Sequence, residues 1–170
     1  MNLLTAKNIR KSFTEKELFD GIDFGVEEGD KIGVVGINGT GKSTLLRILA
    51  GAEEPDEGEV VKGSQVCVRY LPQNPEFPKG MTVRDYVAGA SGTADHGWDD
   101  AGDSRSVLNL MGFGEGKQVL DHLSGGQKKM AALAAALTAS CDILLLDEPT
   151  NHLNSDMVLW LEQALMCRKG

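Results

Sequence analysis

No stretch of this 170-residue chain is apolar for long enough to cross a bilayer. Runs such as Ile143 to Leu146 fall far short of the roughly 20 residues that a spanning helix needs. A secretory signal is missing too, because Lys7, Arg10 and Lys11 interrupt the first segment before an apolar block forms. The expected location is the cytoplasm, with no direct membrane insertion. Positive charge is in deficit: 17 Lys and Arg stand against 25 Asp and Glu, a net charge of −8, which argues against phosphate-backbone binding as the main activity. The densest basic pair, Lys128-Lys129, reads as a solvated helix face. Cysteine is sparse: Cys67, Cys141 and Cys167 are odd in number, widely spaced and without a nearby histidine, so they read as reduced structural thiols. His96, His122 and His152 show no metal-ligand spacing. What is present is ordinary for a globular domain, 41% hydrophobic and 25% charged residues in a length that suits one domain.

The pattern of the chain predicts an α/β fold. Residues 1–28 alternate apolar and polar positions around Leu18, Phe19, Ile22, Phe24 and Val26, predicting antiparallel strands. Lys31 to Val35 reads as a short apolar strand, followed by a glycine-rich turn and a helix with Leu45, Leu46, Ile48 and Leu49 on one face, closed by Gly51. Two more strands are expected at Val60-Val61 and Val66 to Leu71. Helices then dominate: one capped by Thr82, one near Ser104 to Met111, and a longer one from Ser124 to Thr138, with Ser91 to Gly102 between them reading as a mobile loop. Ile143 to Leu146 predicts a strand buried on both faces, and a last helix begins near Ser155 with Met157, Trp160, Leu161, Ala164 and Leu165 along one stripe. The expected division is a β part with the glycine-rich loop (1–72), a mostly helical subdomain (73–140), and a final strand and helix (141–170) within one incomplete domain.

Two constellations carry chemistry. Gly36-Ile37-Asn38-Gly39-Thr40-Gly41-Lys42-Ser43-Thr44 fits the G-x-x-x-x-G-K-[ST] pattern of a phosphate-binding loop. Glycines let successive main-chain N–H groups converge on phosphate oxygens, and the following helix adds the positive end of its dipole. Lys42 is expected between the terminal phosphates and the Ser43 hydroxyl on Mg²⁺. The motif indicates a nucleotide with phosphates and leaves the use of its energy open. The second constellation is Leu144-Leu145-Leu146-Asp147-Glu148-Pro149, which puts two carboxylates at the end of a strand. There Asp147 suits holding Mg²⁺ through water, and Glu148 suits polarising an attacking water as general base.

Upstream of that strand, Leu123-Ser124-Gly125-Gly126-Gln127 resembles the signature motif of ATP-binding-cassette (ABC) ATPases. Gln73, in Tyr70-Leu71-Pro72-Gln73, is similar to that family's Q-loop glutamine, which contacts Mg²⁺ and the attacking water. Phe13 stands where the family places an aromatic that stacks on adenine; a plain core phenylalanine is the alternative. The string Leu144 to Leu153, L-L-L-D-E-P-T-N-H-L, resembles the ABC-F subfamily, proteins with paired ATPase domains whose characterised members mostly act on ribosomes in translation. The resemblance spans essentially the whole chain. It implies a P-loop NTPase core of ABC type, ATP and Mg²⁺ as ligands, and a second ABC domain, within one protein or in a homodimer, packed head to tail. Ser124, Gly125, Gly126 and Gln127 would then face the partner's ATP.

Met130 and Ala135 stand where the family often has arginines, and Asn154 where it has an aspartate. The family also continues into a further strand and a switch histidine, and His152 is not that residue. The expectation is an N-terminal piece of a longer two-domain protein that binds ATP weakly and hydrolyses it poorly alone. Two rival readings are the ATP-binding subunit of a membrane transporter and a fragment that binds nucleotide or a partner without catalysis.

Overall fold

Residues 2–13 and 16–27 form two long strands that bury Leu3, Leu4, Ala6, Ile9 and Phe19. The computed structural model describes residues 1–13, 16–91 and 102–168. Strands β1 (Asn2–Phe13) and β2 (Lys16–Glu27) pair antiparallel, from Asn2 opposite Glu27 to Phe13 opposite Lys16. Strand β3 (Glu57–Lys62) pairs antiparallel on the other edge of β1. Helix α1 (Lys42–Leu49) lies between β2 and β3 in the chain, and a second, two-stranded sheet joins β4 (Val68–Leu71) and β5 (Ile143–Leu146). Helices α2 (Val83–Ser91), α3 (Gly102–Leu110), α4 (Gly125–Thr138) and α5 (Ser155–Cys167), with a short 3-10 turn at Leu120–His122 before α4, complete the described elements. Among the described residues, no helix is long and apolar enough to cross a membrane. The expected loop from Ser91 to Gly102 falls largely outside the described residues, and its two ends belong to α2 and α3.

The chain divides into two compact units, the first made of residues 1–70, 141–147 and 153–170, the second of 71–140 and 148–152. In the first, Leu3, Leu4, Ala6 and Ile9 of β1 and Phe19 of β2 form one core with Ile48 and Leu49 of α1 and Ile143 of β5. The helix follows from its spacing: Leu46, Ile48 and Leu49 are buried, and burying side chains of this size contributes about 1.5–3 kcal/mol each. Gly51, at φ 73°, turns the chain out of the helix. In the second unit α4 packs against α2 and α3, and its residues Ala131 to Ala136, five alanines and Leu133, are all buried. Ala135, where the resembled family often has arginine, is 4% exposed.

One expected strand is absent. Residues 31–36 form no ladder, and Ile32, Val34 and Val35 are 49%, 41% and 96% exposed. Apolar β-branched residues favour a strand only when a neighbour completes the hydrogen bonds, and none of the described strands pairs with this run. Instead Ile32 and Val34 line a cavity of about 130 Å³ with Leu46, Leu49, Leu144 and Leu145. For the same reason β5 is less enclosed than its sequence predicts: Ile143 is buried, and Leu144 to Leu146 are only half-buried.

Candidate functional site

The glycine-rich loop sits in the first unit, between the unpaired run and α1. Its last glycine, Gly41, precedes the helix at φ 97°, a left-handed conformation that disfavours any side chain. Space forbids one as well, because a Cβ there would stand 2.8 Å from Phe19 Cζ and 3.2 Å from Leu18 Cδ1. At Gly36 a Cβ would fall 2.9 Å from Thr40 Oγ1, inside the loop. The loop is closed on itself: the Thr40 hydroxyl donates to the Ile37 carbonyl at 2.8 Å, and Lys42 Nζ donates to the carbonyls of Gly36 at 2.6 Å and Ile37 at 3.1 Å. The lysine amine therefore lies over the main chain of residues 36–37, held by six residues of loop curvature. Asn38 and Gly39 are exposed, Ser43 is half-buried, and Thr44 is buried, with Arg47 donating to its hydroxyl at 3.3 Å.

Two further residues of this unit complete the set. Asp147, at the end of β5, is 4% exposed and accepts a hydrogen bond from the Tyr70 hydroxyl at 3.2 Å. Burial first, and then the neighbouring Asp147, push the Tyr70 phenol up to about 12, so it remains a donor across the physiological range. The sequence singled out Tyr70 only as part of a motif; its partner is 77 residues away and leaves no local pattern. Phe13, at the end of β1, is 47% exposed, so it is not a core residue, and Lys11 Nζ lies 5.6 Å from its ring centroid.

The second unit holds the other expected residues. Glu148 has φ 48°, uncommon for a residue with a side chain. Its Oε2 accepts from Gln73 Nε2 at 2.8 Å and from Asn151 Nδ2 at 2.7 Å. Thus Gln73 and Glu148, 75 residues apart in sequence, meet through side chains, and Asn151 joins them unforeseen. On α4, Ser124 and Gln127 form a reciprocal cap: Ser124 N donates to Gln127 Oε1 at 3.0 Å and Gln127 N to Ser124 Oγ at 3.3 Å. A Cβ added at Gly125 or Gly126 would meet nothing within 4 Å. Internal packing therefore does not require glycine at either position; the two leave bare main-chain amides at an exposed helix N-terminus. Lys129 Nζ and His152 Nε2 lie 3.2 Å apart beside this segment.

The donor chemistry of these residues suits a magnesium polyphosphate. Curled glycine amides and a lysine match phosphate oxygens, and Ser43 with Asp147 offers the hard oxygen ligands that Mg²⁺ takes alongside phosphates and water. A glutamate with an adjacent glutamine suits water activation.

The family model described as "ABC transporter" matches residues 19–151. Protein YfmR of Bacillus subtilis, an ABC transporter ATP-binding protein, is 37% identical, covering 97% of this chain and 32% of its own length. The ATP-binding protein Uup of Caulobacter vibrioides is 40% identical over 98% of this chain and 26% of its own, and the energy-dependent translational throttle protein EttA of Mycobacterium tuberculosis 31% over 99% and 36%. The chain thus spans about a third or less of the length of these relatives. Among solved structures, a metal-chelate type ABC transporter in an inward-facing conformation superposes with TM-score 0.72 at 29% identity, covering 97% of this chain and 68% of that one. An ATP-binding subunit of an ABC transporter reaches TM-score 0.81 at 19% identity, covering 96% and 73%, which shows the fold alone.

Proposed function

The chain belongs to the ABC transporter ATP-binding family, and from that premise we propose that it binds Mg·ATP at residues 36–44 and supplies the catalytic groups for its hydrolysis. The observation that carries the reading is the loop itself, where Gly41 is required twice over, by φ and by space, so that Lys42 opens α1 with its amine curled over the loop.

In this reading the main-chain amides of residues 38–43 and Lys42 grip the β- and γ-phosphates, and the buried side of Thr44 anchors the helix beneath them. Ser43 and Asp147 would hold Mg²⁺, which when bound draws electron density from the phosphoryl oxygens. Tyr70 fixes the Asp147 carboxylate by hydrogen bond. Phe13, half exposed, offers its face to adenine. Glu148 orients and deprotonates the attacking water, and Gln73 holds Glu148 until substrate arrives. Gly125, exposed, and Gly126, half-buried, form the first turn of capped α4 and present amides to the ATP of a second ABC domain, completing its site. The test is steady-state ATP turnover of the full-length protein: Glu148→Gln should lower kcat by about 100-fold or more. Turnover unchanged by that substitution would overturn the catalytic assignment.

For the whole protein we favour a role in translation of the ABC-F kind, with the ribosome as partner. It is supported by the Leu144 to Leu153 string and by the similarity to the translational throttle protein. The similarity to a metal-chelate type transporter favours a second reading, an energy-coupling subunit at a membrane. ATP-dependent co-sedimentation of the full-length protein with ribosomes supports the first, and recovery with an integral membrane partner the second.

A further inference from the structure

Glu148 carries two hydrogen bonds on one oxygen. Gln73 Nε2 and Asn151 Nδ2 both donate to Oε2, at 2.8 Å and 2.7 Å, and neither reaches Oε1. A carboxylate oxygen has two lone pairs, so this pair of donors fills Oε2 and leaves Oε1 as the proton-accepting edge. The two donors differ in kind. Gln73 comes from 75 residues away, whereas Asn151 lies three residues on, in a turn closed by Asn151 N donating to the Glu148 carbonyl at 3.3 Å. Glu148, which opens that turn, has a positive φ of 48°. A local donor built into the same turn stays with the carboxylate even when Gln73 turns toward a ligand.

We propose that Asn151 is a positioning residue for Glu148, its side-chain amide tying down Oε2 so that Oε1 faces the reacting water. This rests on the ATPase reading above, and it assigns Asn151 no contact with substrate. A carboxylate that rotates freely about its last torsion offers its lone pair in the productive direction for only part of the time, so the expected loss falls on kcat and leaves nucleotide binding alone.

The experiment measures kcat and KM for Mg·ATP in the full-length protein with Asn151→Ala, Asn151→Asp, Glu148→Gln and the Asn151→Ala/Glu148→Gln double variant, with folding checked by circular dichroism. Asn151→Asp keeps the size and turn-forming character of asparagine and replaces the N–H donor by an acceptor. Both Asn151 variants should lose about tenfold or more in kcat with KM within about twofold. The double variant should match Glu148→Gln within about twofold, because a residue that acts through Glu148 has nothing left to act on. Wild-type kcat in Asn151→Asp, or losses that multiply in the double variant, would overturn the positioning role while leaving Glu148 as base. Turnover unaffected by Glu148→Gln would instead sink the catalytic reading, and the positioning role with it.

Discussion

Lys42 Nζ donates to the carbonyl of Gly36, six positions earlier in the loop, at 2.6 Å. A lysine so placed occupies with its own amine the ring that phosphate oxygens would enter. ATP binding then exchanges two carbonyl acceptors, Gly36 and Ile37, for phosphate oxygens. What the exchange adds is the Coulomb attraction between the ammonium and the charged phosphate oxygens, which neutral carbonyls do not supply.

Gly41→Ala should destabilise the protein by about 2–4 kcal/mol, combining the left-handed backbone penalty of about 1–2 kcal/mol with overpacking against Phe19. Gly29→Ala is the control. Its φ of 86° carries the same backbone penalty, but a Cβ there meets nothing within 4 Å, so about 1–2 kcal/mol is expected. Urea unfolding of both variants separates the two contributions.

At the start of α4, stability and function should part company. Ser124→Ala removes the reciprocal cap and should cost about 1 kcal/mol. Gly125→Ala meets no steric obstacle and replaces glycine by a better helix former, so it should be neutral or stabilising by up to about 1 kcal/mol. The added methyl would nonetheless stand in front of the amides offered to the partner's ATP. Thermal melts should show no loss for Gly125→Ala, and ATP-dependent association of the two ABC domains should weaken.

The Tyr70 phenol gives an alkaline signature. Its value is raised in the folded state to about 12, by burial and then by Asp147, so the neutral form is favoured by folding. That contribution to stability is fully present below the unfolded value near 10 and is lost as pH rises through about 12. The chain has two tyrosines. Ultraviolet titration should therefore show a late-ionising phenol step, and Tyr70→Phe should abolish that step and flatten the fall in stability between those limits.

Much of the candidate site was legible because it is written in short strings of fixed spacing. Gly36 to Thr44 and Asp147-Glu148 are read directly, and the Ser124–Gln127 cap follows from residues three apart. Helix α4 and strand β5 were equally plain, from alanine and leucine content and from a short apolar run. The strand expected at Lys31 to Val35 was not, since an extended apolar run becomes a strand only when another completes its ladder, and that depends on distant residues. Pairings across 75 or 77 residues, Gln73 with Glu148 and Tyr70 with Asp147, are set by the fold and leave no trace in spacing. Asn151 did leave one: it stands at i+3 from Glu148 within a turn, close enough for an amide to reach back to the carboxylate.

The most direct test is an equilibrium titration of the full-length protein with Mg·ATP, wild type against Lys42→Ala. The account predicts saturable binding in the wild type and a loss of about 100-fold or more in the variant, with the fold retained by circular dichroism. Equal affinity in the two proteins would contradict it, because the triphosphate would then lie somewhere other than the loop of residues 36–44.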